Sequence, residues 1–319
     1  MKIVLTGSLG NISRPLTQQL VAKGHRVTVV SHTEDRKKEI ESLGAVAAIG
    51  SLDNADFLAT TFVGADAVYC MVPPAYWITG EEPIGYYRKI GACYVEALRR
   101  SRVRRVVHLS SFGAHLDRGT GFILGAHEVE ILLNSVPGLA VTHIRPTSFY
   151  NNLFGFIGLI KAAGMIAANY GGDDRLFMVS PVDIAAAIAG EMEVPAGELA
   201  GPAAGFAPTP DEFAVPGVIG GRVRYVSSDE MTCNEAAAVL GRAIGKPDLR
   251  WLTISDEEMQ RGLEGSGMPA MLAANLVERS AGIHTGRLVG DYERHRPVLG
   301  RVKLTDFAPG FAAAFAKNQ

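Results

Sequence analysis

Gly7, Gly10 and Ser13 stand three residues apart in the run KIVLTGSLGNISRPL, directly after an apolar stretch. Small residues at this spacing, between a strand and a helix, suit a turn that holds a phosphate. The first allows a backbone twist that a Cβ would obstruct, and the second lets a pyrophosphate approach main-chain N–H groups. The third lets the helix pack closely on its strand. A dinucleotide fingerprint has glycine at all three places. Ser13 is small enough to affect only the third task, so the turn still qualifies. A purely structural strand-to-helix turn is the alternative reading. Pro15 fits if it falls in the first helical turn, where its missing N–H is not needed.

The second informative place is the end of the next strand, in HRVTVVSH. A site for NAD puts a carboxylate there for the ribose hydroxyls, whereas one for NADP prefers cations and small hydroxyls. Here Ser31 and His32 end the strand and Arg36, Lys37 and Lys38 follow, with Glu34 and Asp35 between them. The pattern favours NADP(H) over NAD(H). A solvated helix face would also account for the basic run.

These residues need a scaffold. KIVLT, HRVTVVS, AVAAIG, DAVYCMV, VRRVVHLSS and AVTHIRP read as strands that are apolar along their length, and amphipathic helical runs separate them. Such strands belong to a parallel sheet covered on both faces, so the expected fold is α/β with a doubly wound sheet. A long helix is expected over 83–101. Residues 1–150 read as the dinucleotide-binding core, and 151–319 as a smaller, more helical substrate lobe. Within that lobe a Gly/Pro-rich loop covers 194–221. In SPVDIAAAIAGEM, Asp183 is placed to cap a helix.

Composition narrows the function classes. The chain has 319 residues, 47% of them hydrophobic, with a formal net charge of -2. It lacks the basic field that nucleic acid or an anionic membrane requires, so a small-molecule substrate is expected instead. Cys70, Cys93 and Cys233 are few, odd in number and far apart, which fits a reducing compartment rather than a disulfide framework. With neither a leader nor a membrane-length apolar stretch in view, a cytoplasmic protein is expected. His108 and His143 lie within apolar strands and read as core. No His/Cys spacing points to a metal.

Together, TGSLGNISRPL, GADAVYCMVPP, RRVVHLSSFGA, EVEILLNSVPGLAVTHIRPTSFYNN and SPVDIAAA resemble the NmrA-like branch of the atypical short-chain dehydrogenases/reductases. YVSSDEMTCNEAAAVLGRAIGKP and ISDEEMQRGLEGSGMP resemble that family's C-terminal lobe. The resemblance implies an NAD(P)-binding protein. Such proteins either reduce quinones and other small electrophiles or, without catalysis, sense cofactor redox state beside a protein partner. Carried over, it puts Gly7, Gly10, Asn11 and Ile12 on the pyrophosphate. Ser31, His32 and Arg36 would surround the adenosine ribose, and Ser51 and Leu52 would lie by the adenine. Met71, Val72 and Pro73 would pass the nicotinamide ribose, with Pro146 and Thr147 bordering the nicotinamide. Tyr76, Trp77, Phe149 and Asn152, after strand ends, are candidates for the substrate wall.

One family element is missing. Short-chain dehydrogenases donate a proton from a tyrosine tuned by a lysine four residues on. No such pair stands at the expected place. By resemblance, Phe122 fills the tyrosine position and Ala126 the lysine position, leaving Ser111 and His127 as catalytic candidates. Tyr86, Tyr87 and Lys89 lie too early in the chain. Quinone reduction tolerates this loss better than ketone reduction, because the product anion is far less basic.

Overall fold

The structure is a computed structural model that describes residues 1–74, 80–194, 207–208 and 221–317. The first half alternates strand and helix: β1 (Lys2–Leu5), α1 (Ser13–Ala22), β2 (Arg26–Ser31), α2 (Lys37–Ser42), β3 (Val46–Ile49), α3 (Ala55–Phe62) and β4 (Ala67–Cys70). It continues through α4 (Pro83–Ser101), β5 (Arg105–Leu109), α5 (Ile123–Asn134) and β6 (Ala140–Pro146). After these come β7 (Ser148–Phe149), α6 (Ile157–Ala163), β8 (Ile166–Ala168), β9 (Arg175–Val179) and α7 (Pro181–Met192). The last part holds β10 (Ala207–Pro208), β11 (Arg222–Val226), β12 (Asp229–Thr232), α8 (Cys233–Ala243), β13 (Trp251–Thr253), α9 (Asp256–Gly265), α10 (Ala270–His284), α11 (Gly290–Arg294) and α12 (Leu304–Lys317).

Eight strands form one sheet in the order β10-β11-β6-β5-β4-β1-β2-β3. From β3 through β6 every pairing is parallel. Every residue of β4 is buried, as are all but one of β5 and β6, which is what a sheet covered on both faces demands of an apolar strand. Strand order reverses between β1 and β4, and ligands of open α/β sheets bind outside the carboxyl ends at such a point. The expected doubly wound fold is therefore present, and the long helix spans Pro83–Ser101 as its sequence suggested. Glu82 caps it by accepting from the Ile84 and Gly85 amides.

The chain divides into two compact units. One comprises residues 1–111, 125–145 and 184–225; the other comprises 112–124, 146–183 and 226–319. A crossing at 145/146 lies near the boundary expected after residue 150, but the chain passes between the units at other places too. The second unit carries more strand than its sequence suggested. β12, β9 and β7 form one small sheet, and β13 pairs with β8 in another. Its core gathers Tyr150, Ile160, Ile166, Leu240, Trp251 and Phe311, all buried. Trp251 Nε1 donates to the Tyr170 carbonyl at 2.9 Å, satisfying the one polar atom that this large side chain takes inside.

The Gly/Pro-rich stretch at 194–221 lies largely outside the described residues, as do Tyr76 and Trp77. Asp183 does not cap α7. The Val182 amide instead donates to Ser180 Oγ, and the Asp183 carboxylate accepts from the Arg301 and Val302 amides and from Ser228 Oγ. Two residues into the helix, Asp183 is better placed to bind another segment than the helix's own first amides.

Candidate functional site

The turn after β1 depends on side chains that its motif does not reveal. Thr6 Oγ1 donates to the Tyr69 carbonyl and accepts from the Met71 amide, tying the end of β1 to the end of β4. Tyr94, buried on α4, donates to the Met71 carbonyl at 2.6 Å. Gly7 has φ +90, and a Cβ there would lie 2.8 Å from Met71 Sδ. Ser13, at the place of the third glycine, is 3% exposed and donates to the Thr6 carbonyl. Its hydroxyl thus bonds helix to strand where a third glycine would only bring them close. Pro15 stands third in α1, within the first turn, as the motif required.

Gly10 differs from Gly7. Its φ is not positive, and a Cβ would meet only the Gly7 carbonyl at 3.5 Å, an ordinary contact. The protein's own packing makes no demand for glycine at this position. A ligand that approaches the main chain does, since a methyl group would fill the cradle. Ile12, the residue before α1, makes no side-chain cap. In the first turn the Arg14 amide already donates to the Gly10 carbonyl and Pro15 has no N–H, which leaves the Ser13 amide at the helix start without a side-chain cap. Ser8 has φ 54, an uncommon conformation for a residue with a side chain. Its amide donates to the Val30 carbonyl and its hydroxyl pairs with Ser31 Oγ at 3.0 Å, binding the turn to the end of β2.

An open pocket of about 310 Å³ results, lined by Gly7, Ser8, Leu9, Gly10, Ser31, His32, Thr33 and Arg36. Of the residues expected on the dinucleotide, Gly7, Gly10, Ser31, His32 and Arg36 meet here. Met71 adjoins through Gly7. Asn11 is exposed beside the turn, while Ile12 is 6% exposed, so it can offer a ligand only main chain. Ser51 and Leu52 follow β3 outside this lining, where Ser51 donates to Asp53. Val72 is buried and Pro73 partly so, just beyond β4. Ser8, Leu9 and Thr33 were missed; only their adjacency to motif residues could have flagged them. No carboxylate lines the pocket among the described residues, and Arg36 is its cation.

The remaining candidates of the first unit follow β5. Ser110 donates to the Glu130 carboxylate, so its hydroxyl is committed to the core. Glu130 forms a buried fork with Arg145: Nε donates to one carboxylate oxygen at 2.9 Å and Nη2 to the other at 2.6 Å. Burial alone would raise the Glu130 carboxyl, but Arg145 and the hydrogen bonds outweigh it and hold the pKa near 2. Ser111 and His127 are both half-buried, and Ala126 is 3% exposed. Lys89 pairs with Asp53 at 3.3 Å rather than with a tyrosine.

In the second unit, Thr147 is buried, its Oγ1 3.3 Å from Ser227 Oγ, and the Pro146 carbonyl accepts from the Phe112 amide. Asn152, exposed, donates to Ser148 Oγ at 3.2 Å. Phe149 pairs with Val179 across β7 and β9. Phe122 lies under Arg279, whose guanidinium carbon is 5.9 Å from the ring centre and whose Nη2 reaches Ser148 Oγ at 3.5 Å. Arg279 was not anticipated, because nothing in the local sequence marks a residue in the middle of α10. Among the described residues, no three His, Cys, Asp or Glu side chains are grouped to hold a metal ion. No helix of theirs is long and apolar enough to cross a membrane.

A parallel sheet with this strand order and a glycine turn at its switch point define a dinucleotide-binding Rossmann protein. The model of the NAD(P)H-binding family matches residues 7–189, more than half of the chain, and the chain belongs to that family. It is 25% identical over 112 residues to the 4-hydroxy-2-methyl-3-oxo-4-farnesyl-3,4-dihydroquinoline-1-oxide ketoreductase of Stigmatella aurantiaca. That match spans 35% of this chain and 34% of the relative, about a third of its length. The fold is shared with an NADPH-dependent quinone oxidoreductase from Escherichia coli complexed with NADPH, at TM-score 0.73 and 16% identity over 97% of this chain and 99% of that one. It is also shared with the triphenylmethane reductase of Citrobacter sp., at TM-score 0.71 and 16% identity over 97% and 100% of the two chains. A nucleoside-diphosphate-sugar epimerase from Staphylococcus aureus matches at the same TM-score, identity and coverage. The expected NAD(P)-binding protein is thus borne out by the family, and the expected doubly wound fold by the structural likenesses.

Proposed function

We propose that this chain is an NADPH-dependent reductase of a small planar electrophile, a quinone being the leading case. The observation that carries the reading is the pocket at the β1 turn, with Arg36 and hydroxyls where an NAD site would hold a carboxylate. Gly7, Gly10 and the Ser13 amide at the start of α1 would hold the pyrophosphate, while Ser31, His32, Thr33 and Arg36 would face the adenosine ribose and its phosphate. When bound, the nicotinamide supplies hydride chemistry. The chain's task is then to position donor and acceptor and to exclude water.

The choice of acceptor follows from what stands at the acid's place. Phe122 and Ala126 can neither donate a proton nor tune one. An alkoxide formed from a simple ketone would need such a donor. A hydroquinone anion is spread over its ring and takes its proton from solvent or a nearby hydroxyl such as Ser111. The names of two structural neighbours, a quinone oxidoreductase and a dye reductase, support a flat acceptor. The apolar pair also suits a second reading, a sensor that binds the cofactor without turnover and reports its redox state to a protein partner.

The test is a fluorescence titration with NADPH, NADP⁺, NADH and NAD⁺, followed by NADPH consumption over a quinone panel. Tight NADPH binding with quinone-dependent turnover is the expected result. Tighter binding of the oxidised forms, with no turnover on any quinone, would favour the sensor. Binding of none of the four would remove both readings.

A further inference from the structure

Two arginines from different elements converge on one carboxylate beside the pocket. Arg36 Nη1 donates to Glu39 Oε2 at 2.8 Å. Arg14 Nη2, from the first turn of α1, donates to Glu39 Oε1. All three side chains are partly exposed, at 39% for Arg14, 36% for Glu39 and 51% for Arg36. Glu39 stands on α2, so a single carboxylate ties the start of α1 to the segment after β2. Arg36 lines the pocket, and Arg14 is brought next to it by the shared partner. Nothing about Arg14 marked it in the sequence, because its role depends on a residue 25 positions away.

A carboxylate held through both oxygens by two guanidiniums resembles two oxygens of a phosphate monoester held the same way. The charges differ, since a monoester carries about -1.5 to -2 at neutral pH and a carboxylate carries one. A phosphate arriving at Arg14 and Arg36 therefore wins on charge but must displace Glu39 or tolerate it nearby. A dinucleotide without that phosphate leaves the three side chains as they are.

We infer that Glu39 is a built-in stand-in for the 2′-phosphate of the cofactor. It holds Arg14 and Arg36 in place while the phosphate is absent and competes for them when it arrives. Glu39 thereby sets the margin by which NADP(H) is preferred over NAD(H), and Arg14 is the second phosphate ligand. The inference rests on the reading of the pocket as an NAD(P) site.

The experiment measures dissociation constants for NADPH and NADH on the whole chain and three variants. Glu39→Gln keeps the shape and one acceptor oxygen but removes the charge. It should raise the ratio of NADPH to NADH affinity by about two- to fivefold, the range of one exposed ion pair, through NADPH alone. Arg14→Met should lower the ratio by a similar factor. Glu41→Gln, on the exposed face of the same helix, removes a charge without touching either arginine and should leave the ratio unchanged. If the wild type binds NADPH while Glu39→Gln leaves the ratio where it was, Glu39 is not a competitor and the inference falls. An equal rise in Glu41→Gln would overturn it as well, since net charge would then be the cause. A wild type that binds neither dinucleotide overturns the pocket assignment itself, an outcome distinct from the other two.

Discussion

Gly7 and Gly10 occupy one turn yet answer to different demands. A methyl group at Gly7 would sit 2.8 Å from Met71 Sδ on a backbone at φ +90, so Gly7→Ala should destabilise the fold and weaken binding together. At Gly10 the protein leaves room. Gly10→Ala should unfold at the wild-type temperature while binding NADPH about tenfold or more weakly, because its methyl group occupies the pyrophosphate cradle. Thermal melts paired with titrations separate the two. If Gly10→Ala binds normally, the turn is structural and the pocket is not the phosphate site.

Among the elements, the join of α5 to β5 and β6 is the most consequential electrostatic device. Arg145 and Glu130 are 5% and 7% exposed, and a buried fork of this kind is costly to break from one side only. Glu130→Gln leaves Arg145 charged with no carboxylate and should cost about 3–5 kcal/mol in chemical denaturation. A loss under about 1 kcal/mol would mean that water already screens the pair. In the second unit, Thr232 and Glu235 form a reciprocal box at the start of α8, each side chain accepting from the other's amide. Thr232→Ala should lower stability by about 1 kcal/mol. These two devices differ in legibility. Thr-x-x-Glu before a helical run announces a cap in the sequence itself, whereas Glu130 gives no sign of facing Arg145.

Across the whole molecule, acid stability follows from two histidines. His108 and His143 meet at 3.0 Å between their Nδ1 atoms, and His143 Nε2 lies 3.0 Å from Asn134 Oδ1. An amide oxygen only accepts, so His143 carries its proton on Nε2 and His108 donates from Nδ1. His108 Nε2 is left as a buried acceptor with no partner among the described residues. Burial, with His143 adding to it, holds His108 near pKa 3, and burial holds His143 near 4, against an ordinary 6.5. The unfolded chain therefore binds protons that the fold refuses. Their stabilising effect is complete above pH 6.5 and is lost as pH falls to about 4 for His143 and about 3 for His108. The slope is at most about 1.4 kcal/mol per pH unit for each ring. Glu130, held near 2 against an ordinary 4.5, adds a second loss below 4.5. Denaturant unfolding between about pH 7 and about pH 5 should show the histidine slope, and His108→Leu should reduce it. A slope unchanged in that variant would assign acid sensitivity elsewhere.

The sequence by itself determined the sheet, the place of the glycine turn and the absence of the tyrosine–lysine pair. Each of these is local: strands apolar along their length, glycines at fixed spacing after a strand, and residue types at single positions. Short strands were less legible. RLFMV forms β9 and IAA forms β8, yet each is too brief for periodicity to separate from a helical segment, and each is a strand through its partners, β12 and β7 for β9 and β13 for β8. Only the tertiary structure decided that Ser13 bonds to Thr6 and that Asp183 serves the 301–302 amides rather than its own helix. It likewise placed Arg14 and Arg36 on one carboxylate and Phe122 under Arg279. Most of these contacts join residues far apart along the chain, 25 positions for Arg14 and Glu39 and 118 for Asp183 and Arg301, and no local pattern records which distant partner a polar side chain will meet.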